Sequence, residues 1–364
     1  MLGIWKSLPT RCRCPSEMFL LLSLANPNSI HYNKADVTEK QENTMKQPLV
    51  ILTGPTAVGK TKLSIALAKA IDGEIISADS MQVYRHMDIG SAKIRPEEME
   101  GVPHHLIDIL DPTDDFHVVR FQSLAKEAMK KIYERNRIPI VVGGTGFYIQ
   151  ALLYDIDFTE NEENAELRAE LEAFATEHGA EALHQLLKEA DPKSAEQIHP
   201  NNRKRVIRAL EYYRLTGKRI SEHNEVQHQK ESPYNAAYFV LNHEREQLYK
   251  QIDDRVDGMI EEGLLEEVQA LKAMGLSRGM VSMQGLGYKE MLSYLDGEIS
   301  FSEAVRILKR DTRHFAKRQL TWFRRERDVI WLNKSDFQDR EEDILNYILN
   351  ILKERGINRM ERNQ

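Results

Sequence analysis

The chain has 364 residues, enough for about two domains at roughly 150 residues each. Hydrophobic residues make up 41% of it and charged residues 29%, which excludes whole-chain disorder, a collagen-like repeat and a small disulfide scaffold. With 57 acidic and 50 basic residues the formal net charge is −7, which excludes a uniformly basic nucleic-acid coat but not a local basic patch.

Residues 1–45 differ in composition from the rest and are predicted to be a disordered leader or a translation-start artefact. They contain both cysteines of the chain, Cys12 and Cys14, and its longest near-continuous apolar run, Met18 to Leu22 with Leu24 and Ala25. That run is far short of the ~20 residues that a membrane span needs, and no clear small-residue cleavage site follows it. We therefore expect no membrane contact, and the cysteine-free remainder favours a reducing, cytoplasmic location.

From residue 48 onward, short apolar runs alternate with helical spacing, which predicts a mostly parallel α/β sheet with crossover helices. Buried strands are predicted at 49–52, 74–77, 105–110, 138–142, 237–241 and 329–332, and helices at 62–71 and 121–135. Between residues 158 and 232 an acidic Ala/Leu/Glu-rich helical pattern replaces the strands. This organisation predicts a core of residues 46–157 and 233–350, an inserted all-helical domain at 158–232 and a C-terminal tail at 351–364.

A phosphate-binding loop motif, G-x-x-x-x-G-K-[ST], stands directly after the first predicted strand and before the first predicted helix. Its residues are Gly54, Pro55, Thr56, Ala57, Val58, Gly59, Lys60 and Thr61. The glycines let backbone amides turn toward a phosphate, Lys60 reaches terminal phosphate oxygens, and the Thr61 hydroxyl can face Mg²⁺. An ordinary glycine-containing turn is the alternative, which the strand and helix on either side disfavour. The motif predicts a P-loop NTPase-like sheet flanked by helices and a polyphosphate ligand that need not be ATP.

Two further predicted strands end in polar residues at the same edge of the sheet. Asp79 follows the strand at 74–77, and its spacing is compatible with a Mg²⁺ ligand, a catalytic base or a capping residue. The strand at 138–142 runs into a Gly-Gly-Thr-Gly segment, whose glycines permit close approach of a ligand and whose Thr145 supplies a hydroxyl. These residues predict a second wall of the phosphate pocket.

Residues 306–327 hold nine basic residues against two acidic ones. Helical spacing places five of the basic residues within an arc of about 60°, opposite an apolar face. They are Arg306, Arg310, Arg313, Lys317 and Arg324. A solvated basic face is the alternative, but so dense a concentration in an acidic chain favours polyanion binding.

Together these motifs resemble the tRNA dimethylallyltransferases, also called tRNA isopentenyltransferases. The resemblance covers residues 48–332. The chain is similar to the bacterial form of the family, because eukaryotic relatives carry a C-terminal zinc finger and no cysteine follows Cys14 here to build one. Seven segments carry it, in order: GPTAVGKT at 54–61, ADSMQVYR at 78–85, PHHLID at 103–108, GGTGFY at 143–148, HPNNRKRVIRALE at 199–211, QGLGYKE at 284–290 and TRHFAKRQLTWFR at 312–324.

This resemblance implies transfer of a dimethylallyl group from dimethylallyl diphosphate to the exocyclic N6 amine of the adenosine immediately 3′ of the anticodon, with release of diphosphate. The phosphate loop would then bind diphosphate with Mg²⁺, and Asp79 would be the base, acting with Lys60 and Thr61. The tRNA anticodon stem-loop would be the partner of a monomeric enzyme. Its implied contacts are Asp79, Ser80, Met81, Gln82, Thr145, Arg168, Lys204, Arg205, Val206, Ile207 and Arg208.

Two other functions stay open at this point. A small-molecule ATP-dependent kinase would use the same loop, with Asp79 activating an acceptor hydroxyl, but it leaves the basic stripe unexplained. A nucleotide-switched RNA-binding module without catalysis would make Asp79 dispensable.

Overall fold

One parallel sheet organises the protein, whose computed structural model describes residues 46–158 and 164–357. In these residues six strands pair in the order β3-β2-β4-β1-β5-β6, and every neighbouring pair is parallel. The strands are β1 (Pro48–Thr53), β2 (Gly73–Ala78), β3 (His104–His105), β4 (Ile138–Gly143), β5 (Asn235–Asn242) and β6 (Val329–Asn333). The helices are α1 (Lys60–Ile71), α2 (Val118–Glu134), α3 (Gly146–Leu153), α4 (Ala165–Ala190), α5 (Pro192–Gln197), α6 (Arg203–Thr216), α7 (Ile220–Gln229), α8 (Arg245–Glu261), α9 (Leu264–Ala273), α10 (Tyr288–Leu295), α11 (Phe301–Phe323) and α12 (Glu341–Glu354). The predicted leader lies outside the described residues.

Helices cover both faces of the sheet. Alternate side chains of β1 enter two different hydrophobic clusters, with Val50 and Leu52 in one and Leu49 and Ile51 in the other. Because neighbouring residues of a strand point to opposite faces, the two clusters lie on opposite sides of the sheet. The first cluster is completed chiefly by α1, α8 and α12, and the second by α2, α3, α9, α10 and α11. The predicted α/β sheet flanked by helices is confirmed.

The strand predicted at 105–110 is wrong beyond its first residue. Leu106 and Asp108 have φ values of 64° and 54°, in the left-handed region, which ends the extended conformation. The following backbone pairs with the segment after β2 instead of extending the sheet, since Leu110 donates its N–H to the carbonyl of Val83 at 3.0 Å. The apolar run is therefore a loop in which Leu106 and Leu110 are buried, and its apolar residues alone do not distinguish it from a strand.

The strand order places the phosphate loop at the switch point of the sheet. Strand β1 lies between β4 and β5. The connection that follows β1 leads to β2, on the β4 side, whereas the connection that follows β4 leads to β5, on the other side of β1. Ligands bind at such points in open α/β sheets. The segments that follow β1, β2 and β4 converge at this edge, as the sequence predicts.

Helices α4 to α7 stand between α3 and β5 and pack around a hydrophobic cluster of their own, which includes Leu171, Leu183 and Leu210. Helix α4 is broken at Gly179, whose φ is 88°. An inserted helical segment therefore interrupts the sheet where the sequence predicts one. Its boundaries as a domain stay a prediction.

The C-terminal helix α12 continues past residue 350, where the sequence predicts the end of the core. Leu352 and Ile357 are each only 1% exposed and pack into the cluster that contains Val50. The core therefore extends to at least residue 357, and the rest of the predicted tail, 358–364, lies outside the described residues. Among the described helices, none combines the length and apolar character that crossing a bilayer requires.

Candidate active site

The phosphate loop curls between β1 and the N-terminus of α1. A side chain at Gly54 would collide with the carbonyl oxygen of Leu241, so only glycine fits there. The Lys60 ammonium donates hydrogen bonds to the carbonyl oxygens of Gly54 at 2.9 Å and Pro55 at 2.7 Å. Burial lowers the pKa of Lys60 to about 7; nearby Arg255 lowers it further, while Asp79 opposes the change. A bound anion would stabilise the charged form of this lysine.

Asp79 stands directly after β2 and uses one carboxylate oxygen to shape the next turn. Its Oδ1 accepts hydrogen bonds from the backbone N–H of Met81 at 2.8 Å and of Gln82 at 3.3 Å. Its Oδ2 accepts no hydrogen bond from the residues that the structure describes. Asp79 therefore acts as a capping residue, which is one of the roles that its spacing allows. Its second oxygen stays available to accept a proton.

A cavity of about 420 Å³ opens beside this aspartate. Of the predicted site residues, it is lined by Thr56, Asp79, Ser80, Met81 and Thr145. The opposite wall comes from α8 and α11 and carries Arg255, Arg318 and Gln319, with Lys289 at the start of α10. The volume falls within the range of small-molecule sites. Three basic side chains and one acidic side chain give the cavity a cationic lining.

Gln82 does not line this cavity. Its amide Nε2 donates to the carbonyl oxygens of Ser91 at 3.4 Å and Ala92 at 3.2 Å, and its Oε1 accepts from Ser77 Oγ at 3.2 Å. The side chain therefore holds the loop that follows β2. Its predicted contact with tRNA stays a prediction.

Arg255 is a site residue that sequence reasoning missed. Burial lowers the pKa of its guanidinium, and the Asp79 carboxylate opposes that change. Among the described residues, the guanidinium has no hydrogen-bond or ion-pair partner. A partly buried cation without a partner is costly unless a ligand compensates it. Helical spacing could have indicated it, because Arg255 lies on the same face of α8 as the apolar residues Ile252, Val256 and Met259, which point toward the core.

Gln319 of α11, also missed, joins the two glycine-containing loops. Its Oε1 accepts from the Thr56 N–H at 2.9 Å, and its Nε2 donates to the Gly144 carbonyl at 3.0 Å. Side chains at Gly144 and Gly146 would collide with Gln319 and Trp322, respectively. The glycines expected to admit a ligand instead admit α11, because the helix packs directly on their backbone.

Two of the arginines assigned to tRNA contact are held by a buried acid. Arg168 donates to Glu211 at 3.0 Å and Arg208 donates to it at 3.1 Å, and Glu211 itself is fully buried. One buried carboxylate therefore accepts hydrogen bonds from two guanidinium groups. The pairing also fastens α4 to α6.

The remaining predicted residues of α6 divide by exposure. Val206 and Ile207 are buried in the cluster of the insert, so their side chains stabilise it and do not face a bound tRNA. Lys204 and Arg205 are exposed at the start of the helix. Thr61 is likewise exposed, in the first turn of α1.

The N-terminal half of the predicted basic stripe is neutralised by acidic neighbours. Three of its five members form ion pairs: Arg306 with Glu303, Arg310 with Asp311, and Arg313 with Asp253. Asp253 belongs to α8, which the sequence spacing within α11 does not reveal. The stripe is therefore not a uniform cationic face.

The sheet order and the loop after β1 define an α/β P-loop protein, here with a cationic cavity at the switch point. A family model described as IPP transferase matches residues 82–326, and one described as isopentenyl transferase matches 47–110. The chain belongs to the IPP transferase family, which confirms the resemblance seen in the sequence.

The matches to named relatives cover most of this chain and most of each relative. A tRNA dimethylallyltransferase of Lachnoclostridium phytofermentans is 63% identical over 311 residues, covering 85% of this chain and 99% of the relative. The crystal structure of a tRNA isopentenylpyrophosphate transferase from Bacillus halodurans is 49% identical with a TM-score of 0.65, covering 85% of this chain and 98% of that one. A eukaryotic dimethylallyltransferase acting on tRNA is 32% identical with a TM-score of 0.69, covering 80% and 75%.

Proposed function

We propose that this chain transfers a dimethylallyl group from dimethylallyl diphosphate to the exocyclic N6 amine of the adenosine immediately 3′ of the tRNA anticodon (position 37). One observation carries the proposal: Asp79 and Arg255 line a single cavity that adjoins the phosphate loop at Thr56. A proton acceptor and an unpaired cation thus lie around a space suited to an allylic chain and a purine base. The named relatives support the same reaction.

The phosphate loop and its cations hold the leaving group. The N-terminus of α1 and the loop amides attract the diphosphate, and Lys60 and Arg255 add positive charge nearby. As the bond between the allylic carbon and the diphosphate oxygen breaks, its electron pair goes to the diphosphate. Groups already oriented toward that developing charge lower the barrier most.

Asp79 completes the transfer as the base. The lone pair of the adenosine amine forms the new bond to the allylic carbon, and the amine proton passes to Oδ2 of Asp79. Because Oδ1 is held by the amides of Met81 and Gln82, the Asp79 carboxylate keeps a fixed orientation where it lines the cavity. The adenosine must be extruded from its loop to reach this position, where Ser80, Met81 and Thr145 would surround it.

The Thr61 hydroxyl and the diphosphate oxygens suit Mg²⁺, which prefers hard oxygen ligands and keeps several waters. The described residues contain no cluster of three or more histidine, cysteine or acidic side chains that would hold a metal by themselves. We therefore propose that Mg²⁺ binds with the donor, held on the protein side by Thr61. When bound, it supplies further positive charge to the leaving diphosphate.

The exposed side chains of Lys204 and Arg205 at the start of α6 suit contact with the tRNA backbone, and Arg168 and Arg208 belong to the same helical insert. We propose a monomeric enzyme that acts on tRNA in the cytoplasm.

The test is a transfer assay with an unmodified tRNA transcript and either allyl-labelled dimethylallyl diphosphate or γ-phosphate-labelled ATP. We expect label from the allyl donor in the tRNA, and none in a control transcript with guanosine at position 37. Phosphate transfer from ATP to a small molecule would support the kinase instead. Binding of tRNA without any transfer would support the RNA-binding module.

A further inference from the structure

A recess beside the active-site cavity is lined by basic and aromatic side chains that have no role in the proposed reaction. It has a volume of about 420 Å³ and is lined by His314, Lys317, Arg318, Thr321, Trp322 and Arg325. These residues follow each other at intervals of three, one, three, one and three along α11 and its C-terminal end, so they form one stripe. The recess is therefore a continuous surface of the helix.

The basic residues of this recess are not neutralised by acidic neighbours. Within the described residues Lys317, Arg318 and Arg325 form no ion pairs, and all three are exposed. Arg306 on the same helix differs from them, because it is paired with Glu303. Unneutralised exposed cations on one face attract a polyanion through its phosphates.

An exposed aromatic ring lies at the edge of the recess. The Phe147 ring is 6.1 Å from the ring of Trp322 and 6.1 Å from that of Phe158, both in edge-on contacts, and Phe147 is 41% exposed. Edge contacts from its neighbours leave ring surface open to solvent. Proteins that bind single-stranded nucleic acids combine such aromatic surfaces with a basic groove, because bases stack on the rings while phosphates meet the cations.

The recess adjoins the catalytic cavity. Arg318 lines both of them, and Phe147 follows the cavity residue Thr145 by two positions at the start of α3. An RNA strand whose extruded base occupied the cavity would therefore pass this surface with its next nucleotide.

We infer that the recess binds a nucleotide that flanks the modified adenosine. Its base stacks on Phe147 beside Trp322, and the neighbouring phosphates contact Lys317, Arg318 and Arg325. This inference rests on the proposed function, and it adds a subsite that senses the single-stranded loop around the target.

The stacking contact is tested by binding measurements on the full chain with three transcripts: the unmodified tRNA and two versions with an abasic residue on either side of the target adenosine. We expect Phe147→Ala to weaken binding of the intact tRNA by about tenfold. The loss should vanish for one abasic transcript, because its stacked base is already missing. Equal losses on all three transcripts, or none on the intact tRNA, would overturn the inference.

Matched variants separate stacking from a general effect on folding. Tyr347 on α12 is 44% exposed, so Tyr347→Ala removes a similarly exposed aromatic ring and should leave tRNA binding unchanged. Phe147→Leu keeps apolar contact with Trp322 while removing the aromatic face, and it should lose the same affinity as the alanine variant. If the leucine variant binds like wild type, stacking is refuted.

The phosphate contacts are tested by the salt dependence of tRNA binding. Lys317→Gln and Arg325→Gln should each reduce the log–log slope by about 0.7, the value for one contact to a single strand. Arg306→Gln, which removes an ion-paired arginine from the same helix, should leave the slope unchanged. An unchanged slope in both recess variants would refute the phosphate contacts.

Transfer by the wild-type enzyme separates this inference from the proposed function. If the wild type moves no allyl group to tRNA, the proposed function fails and the inference fails with it. If the wild type is active and the recess variants bind every transcript as it does, the inference alone fails.

Discussion

Replacing Arg255 by glutamine tests how much of the catalysis depends on the unpaired cation of the cavity. The substitution keeps a polar side chain that can donate hydrogen bonds, although a shorter one, and removes the charge. In the described residues no acid pairs with Arg255, so no ion pair is broken. We expect the melting temperature to be unchanged or slightly raised, because a partly buried charge is removed.

The expected effect on the chemical step follows from the position of the guanidinium. Loss of one preorganised donor to a developing anion typically costs about 2.7–4 kcal/mol, or roughly 10²–10³ in rate. Arg255 is only partly buried, and Lys60 remains to hold the diphosphate, so we take the lower end. The single-turnover rate should fall by about 100-fold at saturating donor and tRNA.

A second consequence concerns pH. Arg255 is one of the causes that lower the pKa of Lys60 to about 7, so its removal should raise that pKa. The protonated lysine binds diphosphate better, and wild-type donor affinity should therefore weaken as the pH rises through about 7. In Arg255→Gln the same weakening should begin at a higher pH. Titration of donor binding over a pH series measures this shift.

Arg255→Lys is the matched control, since it keeps the charge while losing the planar fork of donors. It should retain the wild-type pH dependence of donor binding while losing part of the rate. The reasoning is refuted if Arg255→Gln turns over like wild type, or if its pH dependence coincides with that of the wild type.

Three other changes test the rest of the site. Asp79→Asn should lower the single-turnover rate by at least ~100-fold with little change in tRNA affinity, because it removes the base but keeps the turn; near-normal turnover would remove Asp79 from the mechanism. Lys60→Ala should slow transfer even at saturating donor, since the developing charge on diphosphate exceeds that of the bound donor; equal single-turnover rates would show that the loop serves another purpose. Glu211→Ala should reduce the free energy of unfolding by about 3 kcal/mol in denaturant titrations, because Arg168 and Arg208 lose a buried carboxylate; a loss under ~1 kcal/mol would contradict a structural role.

Local sequence was sufficient for the parts of the site that lie on one continuous segment. The phosphate loop needs a strand, a glycine-containing turn and a helix in succession, and residues 48–71 contain all three. Asp79 and Thr145 were placed correctly at the cavity because the carboxyl ends of parallel strands meet at one edge. The order of seven motifs was specific enough to indicate the family.

Tertiary structure decided the contacts between segments that are distant in the chain. Arg255 reaches the cavity only because α8 packs beside the sheet, and Gln319 joins two loops that precede it by 263 and 175 residues. The same packing brings Asp253 of α8 next to Arg313 of α11, and this ion pair neutralises part of the positive charge that the basic stripe of α11 has in isolation. Helical periodicity reports which side chains share a face, but the charge and burial of that face depend on what packs against it. The sequence by itself therefore determined the chemistry at the ends of β1, β2 and β4, whereas the opposite wall of the cavity depended on the docking of α8 and α11.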